Sequence, residues 1–179
     1  MTQVGNVYGQ ALYSLAKDEG LSGIVLEELQ VLKKSFSEEP GFLKLLAAAN
    51  LSKEERCQIL DDCFRGKVQP YVLNFLKILT ENGYARQFFH CCDSYVSQYY
   101  EDHGILPVKA VTAVLLTEEQ KEKLTKKLSG ITGKTVIVEN QVDTECIGGV
   151  RLDFDGKRLD DTVAHRLEAI GSLLKNTVL

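Results

Sequence analysis

The apolar positions of this chain fall into two textures. Up to His103-Gly104 they recur at intervals of three and four, which places side chains on one face of an α-helix. Val4, Tyr8, Ala11, Leu12 and Leu15 share the face of a first helix that stops near Gly20. Leu21, Val25, Leu29, Leu32 and Phe36 mark a second. Pro40 suits the first turn of a short third helix ending near Asn50, because a proline there forfeits no intrahelical hydrogen bond. Ser52-Lys53-Glu54-Glu55 is a capping box that opens a fourth helix, with Ile59, Leu60, Cys63 and Phe64 turned inward. Pro70 begins a fifth, carrying Val72, Phe75, Leu76 and Leu79. Gly83 separates it from a sixth that bears Tyr84, Phe88, Cys91, Cys92, Tyr95 and Tyr99. Short connections between such helices predict an up-and-down six-helix bundle.

Beyond Gly104 the pattern changes. Ile105 to Leu116 is rich in Val, Ala, Leu and Ile and reads as a strand. Thr117-Glu118-Glu119-Gln120 is a second capping box, opening a lysine-rich helix with Leu124 and Leu128 inward. Thr135 to Val142 is strand-like, and Val150, Leu152 and Phe154 alternate with Arg151 and Asp153 as in a half-buried strand. Asp155-Gly156 signals a tight turn. A last helix then puts Leu159, Val163, Leu167, Ile170 and Leu174 on one stripe. The expected class is α+β, with a helical bundle over residues 1–104 and a small α/β domain over 105–179.

Composition narrows the function. At 44% hydrophobic and 26% charged, the 179 residues have enough apolar material to fold. A net charge of −4 disfavours nucleic acid as a partner, since phosphate tracking needs clustered Lys and Arg. The longest apolar run, Phe42 to Ala49, is broken by Lys44 and is too short for a bilayer, and no secretory leader is expected. Five cysteines without a regular framework point to reduced thiols in the cytosol.

Candidate chemistry is thin. Metal-binding cysteines come as closely paired knuckles, whereas Cys57 and Cys63 sit six apart and Cys91 and Cys92 point about 100° apart on a helix. These thiols are expected to pack as small apolar groups. Asp153, Asp155, Asp160 and Asp161 lack the register of a calcium loop and read as turn, strand and cap residues. Gly148-Gly149 belongs to no phosphate-binding motif and suits a close approach of backbones. His90, His103 and His165 stand in no nucleophile motif. No catalytic set, cofactor site or metal site is expected.

The helices carry more apolar surface than a core demands. Tyr71, Val72, Leu73, Phe75, Leu76, Ile78 and Leu79 leave the fifth helix little polar face beyond Asn74 and Lys77. The first helix shows the same excess at Val7 and Tyr13. A groove between the first and fifth helices would take an amphipathic helix of a partner, with Tyr8, Leu12, Leu76 and Leu79 near it.

Three motifs resemble one family. Tyr8-Gly9-Gln10-Ala11-Leu12-Tyr13-Ser14-Leu15-Ala16 is similar to an opening Y-A-x-A-L-x-x-x-A helix. Glu81-Asn82-Gly83 is similar to an E-N-G-R junction. Ile147-Gly148-Gly149, followed by Asp160, Val163, Arg166 and Leu167, is similar to a closing I-G-G…D-G-S-V-x-x-x-L signature. Together they resemble the delta subunit of bacterial F-type ATP synthase, the relative of the mitochondrial oligomycin-sensitivity-conferring protein. Gly9 stands for the usual Ala, Tyr84 for Arg, and Asp161-Thr162 for Gly-Ser. Thr still suits a helix cap.

The resemblance implies a non-catalytic stator subunit without cofactor or metal. Its helical domain would bind the N-terminal helices of the alpha subunits on the catalytic head, and its C-terminal part would meet the C-termini of the b subunits of the peripheral stalk. It would hold the head against rotation during proton-driven ATP synthesis, and lie at the cytoplasmic face of the bacterial membrane through the complex alone. The competing readings are a regulatory helical adaptor that binds an amphipathic helix and, third, an enzyme assembled from one of the rejected clusters.

Overall fold

The computed structural model describes residues 3–48, 51–163, 165 and 167. The chain divides into Met1–Tyr99 and Tyr100–Leu179, here the helical unit and the sheet unit. Six helices come first: α1 (Gln3–Asp18), α2 (Ser22–Glu38), α3 (Pro40–Leu46), α4 (Lys53–Phe64), α5 (Pro70–Glu81) and α6 (Phe88–Asp102). Then follow β1 (Ile105–Thr112), α7 (Glu118–Thr132), β2 (Thr135–Val142), β3 (Val150–Phe154) and β4 (Lys157–Asp160). The fold is mixed α+β. The division between units falls in the last turn of α6 rather than at Gly104.

Local chemistry sets the helix ends. Ser52 Oγ accepts from Glu55 N at 3.1 Å while the Glu55 carboxylate accepts from Ser52 N at 2.8 Å, the reciprocal box that starts α4. α5 has a cap that arrives from another helix. The Glu28 carboxylate on α2 accepts from Gln69 N at 2.9 and 3.1 Å, placing an anion at the positive end of α5. Gly83, at φ +76°, ends α5, and Tyr84 N donates back to Leu79 O at 2.7 Å. Tyr84 therefore lies outside the sixth helix, in the turn before a 3-10 segment at Ala85–Gln87. α3 stops at Leu46, and Asn50 is outside the described residues.

The core of the helical unit differs from the apolar stripe of α1. That helix buries Gly5, Gly9, Leu12, Tyr13 and Ala16, while Leu15 and Val7 are exposed. Small residues win because α6 comes close. A Cβ on Gly9 would collide with the Cys91 carbonyl oxygen and lie 2.7 Å from Ser94 Cβ. Tyr13, expected off the main stripe, packs edge-on against Tyr95 at 5.3 Å between ring centroids. Phe36 of α2 meets Phe88 of α6 at 4.9 Å.

The sheet unit has strand order β2-β1-β3-β4. β1 and β2 are parallel and joined through α7, as a parallel pair requires, and β3 is antiparallel to both β1 and β4. Leu106, Val108, Ala110, Val136, Val138 and Leu152 form its core, with Leu124 and Leu128 of α7 half-buried against them. The opposite face is charged: Glu139, Lys109, Asp153 and Arg158 stand in one row across the strands. Two expectations fail here. β1 ends at Thr112, not Leu116, because Thr112 Oγ1 donates to Val114 O at 2.7 Å and Leu116 N turns to Asn140 Oδ1 at 2.8 Å. Leu159 sits in β4, not in a helix, because Asp155 and Gly156 both have positive φ (48° and 68°) and so form a hairpin turn that returns a strand.

Candidate functional site

α1 and α5 each carry two stripes. On α5 the core side is Val72, Leu73, Leu76, Leu79 and Thr80, all buried. The other side repeats the spacing i, i+3, i+4, i+7 with Tyr71, Asn74, Phe75 and Ile78. α1 has the same spacing at Tyr8, Ala11, Leu12 and Leu15. These two stripes line an open apolar depression of about 450 Å³. Leu12 and Phe75 form its buried floor, while Ala11, Leu15 and Ile78 stand exposed on its walls. At one end the Tyr8 and Tyr84 rings meet at 5.9 Å, so the middle of α1 lies against the C-terminal end of α5.

Of the four residues expected at this groove, Tyr8 and Leu12 line it. Leu76 and Leu79 do not: they are 3% and 1% exposed and belong to the helical core. The period that brought them forward was right for a helix, but it selected the buried stripe of α5. Ala11, Leu15, Tyr71, Asn74, Phe75 and Ile78 complete the lining, and their signal was the second i, i+3, i+4, i+7 stripe on each helix.

The Ile147–Gly149 segment is a second constructed feature. Ile147 has φ 62° and ψ −40°, and Gly148 N donates across it to Cys146 O at 2.6 Å, a γ-turn with a β-branched residue at its centre. Its side chain is 64% exposed. Gly149, at φ +81°, lies so close to the chain after β4 that a Cβ there would strike the Asp161 carbonyl oxygen and approach Thr162 Cα to 3.0 Å. Two hydrogen bonds tie these backbones together, Asp161 N to Val150 O (3.1 Å) and Val163 N to Gly148 O (3.0 Å). Asp160 Oδ1 accepts from Thr162 N (3.0 Å) and Thr162 Oγ1 (2.7 Å), and Thr162 Oγ1 accepts from His165 N at 3.2 Å, capping the helix that includes Val163, His165 and Leu167. Arg166, Ile170 and Leu174 lie outside the described residues.

Several titratable side chains are engaged in structure. Burial raises the Cys91 thiol to about 11 and pushes Cys92 up as well, the opposite of what a thiolate nucleophile needs. Cys57 is held up by burial and by its Sγ–H donation to Glu81 Oε1 at 3.4 Å. Asp153 accepts from Arg158 Nε at 2.8 Å, and that bond holds its carboxyl below the usual range. Asp160 is held low by the Thr162 bonds. Among the described residues, no group of three or more His, Cys, Asp or Glu converges as metal ligands would, and no helix is long and apolar enough to cross a membrane.

Comparison with known proteins gives a consistent result. The family model described as ATP synthase delta (OSCP) subunit matches residues 4–174. The ATP synthase subunit delta of Lactobacillus delbrueckii subsp. bulgaricus is 33% identical over 173 residues, covering 93% of each chain. That of Alkaliphilus oremlandii is 30% identical over 176 residues, covering 98% of each. In the cryo-EM structure of the Toxoplasma gondii mitochondrial ATP synthase hexamer, one chain shares the fold at a TM-score of 0.78 and 19% identity, over 97% of this chain and 98% of its own length.

Proposed function

This chain belongs to the ATP synthase delta (OSCP) subunit family and serves as a stator subunit of that enzyme, and we propose that it does so through two separate attachments. The helical unit, with its six helices, takes N-terminal helices of the alpha subunits on the catalytic head. The sheet unit meets the C-termini of the b subunits of the peripheral stalk. The chain supplies no active site of its own. It reaches the cytoplasmic face of the membrane only through the complex. Two attachments on one chain reinforce each other, because once one is made the second becomes intramolecular.

The observation that supports this reading is the groove between α1 and α5. Its stripes are apolar and open, yet the core beneath is filled by other side chains of the same helices. A link under repeated torque needs slow dissociation, which comes from buried apolar contacts more than from rim charges. An amphipathic helix laid between the stripes would supply them.

The test uses Ala11→Asp and Ile78→Asp, both at exposed lining positions. A charge at Leu76 would unfold the core and report nothing about the groove. Each variant is expected to keep the circular dichroism of the wild type while membranes lose the catalytic head on washing. A head that stays bound and coupled to proton flow in both variants would overturn the groove assignment.

A further inference from the structure

Beside the hydroxyls of Tyr8 and Tyr71, the groove contains one amide side chain that an apolar occupant cannot satisfy. Three of the four positions in the α5 stripe are Tyr71, Phe75 and Ile78, and the fourth is Asn74. Asn74 is exposed at the groove, between Tyr71 and Ile78, and among the described residues its side-chain amide has no hydrogen-bond partner in the protein. In the free protein water serves it. Under a purely apolar helix it would be stripped of water and left unpaired, a penalty that falls on any occupant without a matching polar group.

The ends of the groove add a second constraint. Continued by one more turn, the α1 stripe reaches Asp18 and Glu19, whereas Glu81 at the end of α5 turns to α4, where its Oε1 accepts from Cys57 Sγ at 3.4 Å. Tyr8 lies by the Tyr84 end of α5, so Asp18 and Glu19 lie beyond Leu15, toward the opposite end of the groove. Both of these side chains are exposed. The groove is therefore largely apolar, amide-bearing within α5's stripe and acidic past the Leu15 end of α1's stripe.

We propose that Asn74 is the register- and specificity-determining residue of this groove, and that its occupant is an amphipathic helix with a single amide or hydroxyl side chain in its apolar stripe and Lys or Arg flanking that stripe. The inference rests on the groove being the head-binding site. A helix slipped by one turn, or one with an all-apolar face, buries the Asn74 amide without a partner and binds more weakly. A single polar group inside an apolar helix interface fixes register in this way at some cost in stability. The exposed carboxylates select the sign of the flanking charge and speed the encounter more than they tighten the complex.

The experiment titrates full-length protein calorimetrically with a synthetic peptide of the N-terminal segment of the alpha subunit from the same organism. A peptide set replaces each Asn, Gln, Ser and Thr of that segment by Leu, one at a time. For the wild type, one replacement is expected to weaken binding about tenfold and the others little. In Asn74→Leu, binding of the unaltered peptide is expected to fall by a similar factor, and that same Leu peptide should recover it. If Asn74→Leu binds every peptide at least as tightly as the wild type does, the role of Asn74 is overturned. Ala11→Asp and Ile78→Asp are titrated in parallel. Loss of binding in them with no response at Asn74 removes this inference alone. Unchanged binding in both removes the groove assignment and this inference with it. Asn74 is exposed, so folding of the variant is expected and is checked by its melting temperature.

Discussion

In the helical unit Tyr95, Phe88, Leu29 and Leu79 are enclosed on every side. In the sheet unit, α7 covers one face of the sheet without a single fully buried residue of its own. The contrast follows from geometry. Six helices can surround one another, whereas a small sheet with one helix on it has a core one layer deep. The helical unit carries a second apolar stripe on α1 and α5 in addition to the one that fills its core. The described part of the sheet unit holds its shape with turns, caps and cross-strand pairs as much as with its core.

The largest expected effect separates the two faces of α5. Leu79→Ala should cost about 2–5 kcal/mol in denaturant unfolding of the helical unit, the range for emptying a well-packed core site. Ile78→Asp, one position along, should cost less than about 1 kcal/mol, in keeping with its place on the surface. Equal losses for the two would erase the distinction between core and groove. Gly9→Ala should follow, at about 1–3 kcal/mol, because the colliding Cys91 carbonyl is backbone and α6 must move to admit the methyl. An unchanged melting temperature would show that the α1–α6 contact is looser than described.

Smaller effects sharpen the picture of the sheet unit. Ile147→Gly should stabilise it by about 1 kcal/mol, since glycine relieves the positive φ and the lost side chain is mostly exposed. Native-state hydrogen exchange at the β3 amides would read the gain, and slower protection loss is the expected sign. Acid gives the smallest effect. The Arg158 bond depresses the Asp153 pKa in the folded state. Its contribution is therefore full above the unfolded carboxyl value and is lost as pH falls through that value toward the folded one. Asp153→Asn should flatten the acid limb of β3–β4 protection, and an identical limb in both proteins would assign it to other groups.

Much of this architecture is legible in the sequence, for local reasons. Both capping boxes form, and Thr117 Oγ1 accepts from Gln120 N as its spacing required. β2 spans Thr135–Val142 because its β-branched alternation is bounded by Gly133 and Asp143. The failures share one cause, that hydropathy ranks side chains without knowing their neighbours. Gly5, Gly9 and Ala16 bury by being small, so α1's core stripe was invisible while its groove stripe looked like core. β4 reads Lys157-Arg158-Leu159-Asp160, a short edge strand with little to alternate. For the groove, Tyr8 and Leu12 could be named because both faces of α1 share them as a border. The α5 contributors could not be separated from Leu76 and Leu79 without knowing which side α2 and α4 occupy.

The stitch at Gly149 has a mechanical consequence. Asp161 N and Val163 N hold the chain after β4 to the start of β3, at Val150 and Gly148. β3 is an inner strand, clamped between β1 and β4, whereas β4 is a four-residue strand at the rim. A tug arriving along the chain past Thr162 therefore passes into the clamped strand as well as the rim, and does not simply unzip the hairpin from its loose end. Any side chain at position 149 would wedge those backbones apart and send the whole tug into β4. In a part whose work is to stay still while its neighbours pull, the missing side chain sets where the strain goes.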